Sequence, residues 1–476
     1  MAVTMLSAQV MEKQARKYAK TITDDDLTRH ITLLSSDSLE GRETGRKGQK
    51  MAADYIQKHF ESLGLQAPVE GSYYQKFNLY QIHRGEAGMT VSGRNFKNLK
   101  EMVYWASVPF EKDEVEIVYV NKAQKEDIEG IDVKGKFLAL QAEGQFTPIL
   151  ETLEEVGAKG ALVFAEDSSR MNMVLRYGQY YATHGSLSRA EPSSDGLASL
   201  VVYKELAQEI FGGPLSALKI GDKANAELFA EINTEVIETE NVLGYLEGTE
   251  KKDEVIVLTA HYDHIGVQDG KVYNGADDDA SGTTAVLEIA EAFVKAKKDG
   301  HGPKRSILFM PVTGEEKGLL GSAHYAENPV FPLENTVTNL NIDMIGRVDS
   351  AHMDNREFVY LIGSNRISTE LHQISEAMNE NYTKLELDYT YNAEDHPDRI
   401  YYRSDHWNFA KNGVPIIFYF NGTHPDYHQH TDTVEKIEFD VLKKRTDLVF
   451  YTAWEIANRE DRLSIDEVEE SEESDK

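Results

Sequence analysis

After Asn241 the chain alternates strand-like and helix-like runs with a regularity that restricts its fold more than any other feature. "EVIVLTA", "RSILFMPVT", "TNLNIDMIG" and "VPIIFYF" read as strands. A helical stretch, "TTAVLEIAEAFVKAKK", places Val286, Ile289, Ala290 and Phe293 on one side. Such alternation predicts an α/β sheet covered on both faces, a class in which ligands collect beyond the carboxyl ends of the strands.

The residues that follow these strands carry the chemistry. "EVIVLTA" runs into "HYDH", so His261 and Asp263 stand at one strand end. "RSILFMPVT" runs into "GEE", with Glu315 and Glu316, and Asp343 lies near a third end. A loop after "VPIIFYF" brings His428 to a fourth. The turn "YNGADDDASG" adds three consecutive aspartates, whose mutual repulsion calls for a cation or hydrogen-bond donors. Imidazole and carboxylate oxygen are the usual ligands of catalytic zinc. Two histidines and at least three carboxylates exceed the needs of one ion. With one carboxylate bridging, each of two ions can take one histidine, one private carboxylate and a share of the bridge, with a water between the metals.

Upstream the texture differs. "GRETGRKGQKMAADYIQKHFESLGL" has a glycine-rich entry followed by Met51, Ala52, Tyr55, Ile56 and Phe60 at helical spacing. Its glycines do not make the phosphate-loop pattern, so the entry is read as a helix-capping loop. From about Tyr104 to Glu235, short strands such as "EVEIVYV" and "KFLALQAE" mix with a helix in "FTPILETLEEVGAKG", the pattern of a small domain with its own core. The expected organisation is therefore 1–104 and 236–459 as two parts of one domain, 105–235 as an insertion, and 460–476 as a tail. That tail carries nine acids and two bases and is expected to be a solvated, disordered end.

Charge and length bound the remaining possibilities. At 476 residues the chain can bury large cores, and its net charge of −31 argues against nucleic acid or an anionic membrane surface as the main partner. No apolar run approaches the roughly 20 residues of a bilayer span. Without cysteine there are no disulfides or thiolate ligands. The start lacks the form of a signal peptide, and the compartment stays open.

The motifs "AHYDHIG", "YNGADDDASG", "TGEEKGLLGS", "NIDMIGR" and "YHQHTDT", in that order, resemble the co-catalytic dizinc exopeptidases. This family includes bacterial leucyl aminopeptidases and plasma glutamate carboxypeptidase-like enzymes. "LSSDSLEGRETGRKGQKMAADYI" is similar to the family's N-terminal segment, and the middle region to the protease-associated domain that many members carry. The resemblance implies a three-layer α/β/α zinc-exopeptidase domain of the phosphorylase/hydrolase-like type, with a mixed, largely parallel sheet and a smaller, inserted, α+β or β-rich protease-associated domain. It implies two zinc ions bridged by Asp277 and a water or hydroxide, with His261 and Asp343 completing one ion and Glu316 and His428 the other. Glu315 would be the general base, Asp263 would hold the His261 ring by its other nitrogen, and Tyr427 would stabilise the tetrahedral oxyanion. His264, His406 and His430 are left outside the ligand set. The implied activity is a zinc-dependent exopeptidase, foremost an aminopeptidase, acting on peptides, and the resemblance also suggests a periplasmic or secreted location.

Other readings compete. Carboxypeptidase or dipeptidase specificity fits the same site. Arg403, in "YYRSDHWNF", could bind a substrate carboxylate or be structural. Asp277, Asp279, Ser281, Gly282 and Glu288 nearly fit a calcium-binding EF-hand loop, but the preceding "GVQDGKVYNGA" is too glycine-rich for an entering helix. A catalytically silent binding protein on the same fold would be free to lose ligands that are present here. "NGT" at 421–423 matches a glycosylation acceptor but is read as a turn. Oligomeric state, preferred terminal residue and native metal are not legible.

Overall fold

The computed structural model describes residues 2–141, 147–165 and 167–466. These divide into two compact units, one of Met1–Phe77 with Glu238–Lys476, the other Asn78–Ile237. The second unit thus takes in residues 78–104, which the sequence reading leaves with the first. Those residues supply most of the long strand Tyr74–Val91, together with Arg94–Lys97 and Met102–Tyr104, all of which join the second unit's sheet.

The first unit is built on a seven-stranded sheet. In chain order its strands are β1 (Gly244–Leu246), β2 (Lys251–His261), β3 (Arg305–Val312), β4 (Thr336–Ile342), β5 (Phe358–Ile362), β6 (Glu386–Asp388) and β7 (Ile416–Phe420). Their order across the sheet is β1-β3-β2-β4-β7-β5-β6. The four central strands, β3, β2, β4 and β7, are mutually parallel, while β1 and β5 run antiparallel to their central neighbours. This is the mixed, largely parallel sheet expected.

Period-two alternation sends successive side chains to opposite faces. Ile256, Leu258, Ile307, Phe309, Ile417 and Tyr419 join one core, and Val257, Leu308, Met310, Ile416, Phe418 and Phe420 the other. The first core is covered by helices α1 (Asp24–Leu34), α2 (Lys47–Leu63), α3 (Ala280–Lys298) and α4 (Phe439–Asn458). Helix α3 is buried on nearly every side, not only along the stripe read from its sequence, because α1, α2 and α4 pack on it as well as the sheet. Its first carboxylate, Asp279, caps the amino end, and Lys295, Lys297 and Lys298 complement the dipole at the other.

Ser281 through Glu288 lie within α3, which rules out the calcium-loop geometry. Glu288 is buried, with one carboxyl oxygen 3.1 Å from His30 Nε2. The Asn421 side chain is buried, accepting from Arg347 N at 2.7 Å and donating to Gly422 O, so it serves a turn and not a glycan.

Residues 467–476 of the acidic tail lie outside the described residues. Its first part packs on the body instead of being a free end: Glu460 pairs with Lys304, and Asp466 accepts from Thr369 N at 2.9 Å. No described helix is long and apolar enough to cross a membrane.

In the second unit, Phe110–Tyr119, Phe137–Gln141, Gly160–Ala165 and Ala198–Tyr203 form a parallel run in a mixed sheet. Lys223–Val242 flanks it antiparallel on one side and Met102–Tyr104 on the other. Apolar clusters on both faces give it a core of its own, one including Phe137 and Phe164, the other Leu138 and Val163.

Candidate metal centre

Because β3, β2, β4 and β7 are adjacent and parallel, their carboxyl ends open on one edge, and each delivers a functional side chain there. His261 is the last residue of β2, Glu315 and Glu316 follow β3, Asp343 follows β4, and His428 lies in the loop after β7. Two groups of donor atoms form, each gathered within 4.8 Å: His261 with Asp278 and Asp343, and His264 with Asp278 and Glu316. Asp278 is shared. Its Oδ1 lies 3.2 Å from His261 Nε2, and its Oδ2 lies 3.2 Å from His428 Nε2. His428 Nε2 also stands 3.1 Å from Glu316 Oε2.

The carboxylate common to both groups is therefore Asp278, where the sequence reading expects Asp277. The turn sends its three carboxylates in three directions. Asp277 accepts from Gly346 N at 2.6 Å and faces His424 Nε2 at 3.1 Å. Asp279 accepts from Gly282 N, Met344 N and His261 N, tying helix α3 to two strand ends. Asp278 is left facing His261, His264 and His428. Gly275 makes the turn possible: its φ is +53°, and a Cβ there would meet Asp278 O at 2.0 Å.

The fully buried Arg42 holds this loop from behind, donating to the carbonyls of Tyr262, Asn274, Gly275 and Leu34. Its cation lies among Asp278, Asp263, Asp279 and Asp432. Asp432 Oδ2 accepts from Asp277 N at 2.9 Å and Asp278 N at 3.2 Å. The glycine-rich entry read as a capping loop is thus a buttress of the centre. Thr44 Oγ1, from the same segment, donates to Asp263 Oδ2 at 2.7 Å. Its sequence signal is the unbroken "GRETG" ahead of α2, which capping alone does not explain.

Asp263 does not hold His261 as expected. His261 Nδ1 faces the Asp263 backbone carbonyl at 3.1 Å, while the carboxylate is 3.9 Å away and engaged with Thr44 and Glu315 N. Asp343 is fixed by Ser404 Oγ, which donates to its Oδ2 at 2.7 Å and accepts from Asn341 Nδ2.

Electrostatics separates the two adjacent glutamates. Burial pushes Glu315 well above the usual carboxylate range, with Asp343, Glu316 and Asp405 adding to it against the opposing His261. Glu316 is also buried, but His264 and His428 outweigh burial and the neighbouring Asp278, holding it at about 2. His428 is raised to about 10 despite burial, by Asp278 and Glu316. Glu315 suits a proton carrier and Glu316 a permanent anion.

Buried atoms without hydrogen-bond partners include Asp278 Oδ2, Glu316 Oε1 and both ring nitrogens of His264. Such atoms are rare in folded proteins, and His264 Nδ1, Glu316 Oε1 and Asp278 Oδ2 gather together here. A donor set of imidazole and carboxylate with unpartnered atoms at its middle fits zinc.

A cavity opens from the centre. Glu315, Asp278, Asp343 and His428 form its polar side, Met344, Ile400, Phe418 and Phe420 its apolar side, and Arg403, Thr423 and Tyr427 complete it. The Tyr427 ring stacks on His428 at 3.9 Å between centroids. Its hydroxyl is pushed up by burial and by the carboxylates of Asp278, Glu316, Glu315 and Asp343, so it is a neutral donor. Arg403 is exposed. Of the two other histidines set aside, His406 is buried with Nε2 against Tyr401 O at 2.7 Å. His430 sits beside Tyr273.

Residues 241–453 match the model of peptidase family M28. A probable zinc metalloprotease of Pyrenophora tritici-repentis (strain Pt-1C-BFP) is 30% identical over 261 residues, covering 46% of this chain and 51% of that protein. Aminopeptidase YwaD of Bacillus subtilis (strain 168) is 23% identical over 448 residues, covering 89% and 83%. The chain thus spans about half (51%) of the length of the first curated relatives it matches. Among solved structures, an aminopeptidase from Aneurinibacillus sp. strain AM-1 superposes with a TM-score of 0.58 at 19% identity, covering 95% of this chain and 98% of that one, a likeness of fold.

Proposed function

We propose that this chain belongs to peptidase family M28, whose model matches residues 241–453, and that it is a zinc-dependent exopeptidase, an aminopeptidase that removes the terminal residue of a peptide. The observation that carries the reading is the set of donors beyond the ends of four parallel strands, His261 gathered with Asp278 and Asp343, and His428 Nε2 at 3.2 Å from Asp278 and 3.1 Å from Glu316. In this reading His261, Asp278 and Asp343 hold one zinc, and Asp278, Glu316 and His428 the other. When bound, the pair supplies a Lewis acid for the scissile carbonyl and acidifies the attacking water.

The chain's own groups do the rest. Glu315 takes the proton of the attacking water and delivers it to the leaving amine. Tyr427 donates its hydroxyl to the developing oxyanion. The carboxylates of the polar wall favour a free α-amine, and the apolar wall takes the terminal side chain.

Arg403 supports a second reading. Among the described residues it has neither a hydrogen bond nor an ion pair with another side chain, and a guanidinium at the cavity wall can hold a substrate carboxylate. That favours a carboxypeptidase, or a dipeptidase whose substrate places its own carboxylate there. The unit Asn78–Ile237 stands in this reading for the protease-associated insertion. A periplasmic or secreted location follows from the family resemblance alone, and cell fractionation tests it.

The function is tested by zinc content and by hydrolysis of aminoacyl-nitroanilides and free dipeptides, before and after chelation and zinc return. About two zincs per chain with chelator-sensitive release from nitroanilides supports the aminopeptidase. Activity on free dipeptides only transfers the assignment to a dipeptidase, and absence of zinc binding refutes both.

A further inference from the structure

We propose that His264 is an additional metal ligand, so that the two ions of the centre are held unequally. The ion at Glu316 would be closed by two imidazoles, and the ion at His261 held by one and left open. The inference rests on the two-zinc reading above.

His264 sits three residues beyond the end of β2, where its backbone N donates to Arg42 O at 3.2 Å. Its ring is fully buried, yet neither nitrogen has a hydrogen-bond partner among the described residues. A core histidine kept for packing would be expected to bond at least one nitrogen, since a buried polar atom left unpaired forfeits its hydration without replacement. The ring is also aimed. His264 Nδ1 lies 2.7 Å from Glu316 Oε1, off the hydrogen-bond axis, and 3.8 Å from Asp278 Oδ2. His428 Nε2 approaches the same two carboxylates at 3.1 and 3.2 Å, with the two rings set edge to face.

His264 and His428 thus both approach Asp278 and Glu316, and two imidazoles with two carboxylates make up the four-donor set of a closed zinc site. The other group, His261, Asp278 and Asp343, offers three donors, and Glu315 Oε2 lies 3.9 Å from His261 Nε2. That is the pattern of a catalytic site with one position free. The closed ion would bind first and leave last, and the open one would exchange.

X-ray absorption on the full chain, loaded with one and then two equivalents of zinc, counts the imidazoles. We expect two on the first zinc and three across the loaded pair. One imidazole on each ion overturns the proposal and leaves the two-zinc reading intact, whereas failure to bind zinc overturns that reading itself. His264→Asn keeps a polar side chain without an imidazole. It should weaken the tighter zinc at least ~10-fold in chelator competition and lower the count to one imidazole per ion. Unchanged affinity and count in a folded His264→Asn protein refute the assignment. The wild-type count needs no variant, so it decides the matter even if the variant does not fold.

Discussion

Asp277→Asn and Asp278→Asn form a matched pair, because the two side chains are adjacent, chemically identical and fully or nearly fully buried, but face different partners. Asp277 binds protein: its carboxylate takes Gly346 N at 2.6 Å and His424 Nε2 at 3.1 Å. An asparagine keeps one oxygen, so one of the two bonds survives. Hydrogen bonds to charged groups contribute about 1.5–3 kcal/mol, so the variant should lose about 2 kcal/mol of stability, with or without zinc. Asp278 instead faces the two donor groups, and its loss should leave the metal-free fold little changed while abolishing high-affinity zinc. At free zinc 100-fold above Kd, each site adds about 2.7 kcal/mol to wild-type stability; a 100-fold weaker site adds only about 0.4 kcal/mol. Urea unfolding in zinc-buffered and chelated solution measures both terms, and elemental analysis after dialysis gives the stoichiometry. If Asp277→Asn loses the zinc increment while Asp278→Asn keeps it, the bridge belongs to Asp277 and the geometry drawn here is wrong.

Three further expectations concern the rest of the first unit. Glu315→Gln should retain its zinc and lose roughly 10²–10⁴-fold in turnover, and near-normal turnover would remove it as the proton carrier. Arg42→Met leaves four carbonyls without their donor and should cost about 3–5 kcal/mol, part of it recovered by zinc; a change under about 1 kcal/mol in metal-free unfolding would contradict the buttress role. Burial pushes Glu288 from 4.5 up to about 8, so the folded protein holds a proton that the unfolded chain releases, and stability falls as pH rises through that window. Glu288→Gln should flatten that slope, with its advantage over wild type growing from pH 5 to pH 8 toward a ceiling of about 5 kcal/mol; parallel pH profiles for the two proteins would refute it.

The sequence by itself determined the strand-and-helix order after Asn241 and the strand ends that carry His261, Glu315, Glu316, Asp343 and His428. Alternating apolar positions and the residues that follow them are local properties, and a parallel sheet turns that order into a shared edge. Local pattern also identified the aspartate turn as a place of unbalanced charge.

It could not say which of three consecutive aspartates faces inward. That depends on backbone direction within the turn, which is set by the donors each carboxylate meets: Gly346 and His424 for Asp277, and the amino end of α3 for Asp279. Nor could it connect Arg42 or Thr44 to residues more than 200 positions away, since their partners are carbonyls and a carboxylate brought near only by folding. The start of the second unit at Asn78 was not legible for a related reason, because it falls inside the strand Tyr74–Val91, whose local pattern does not mark it. His264 shows the same limit at the centre itself. In the sequence it is one histidine among several near the site, and only the tertiary structure leaves its buried nitrogens unpartnered beside Glu316.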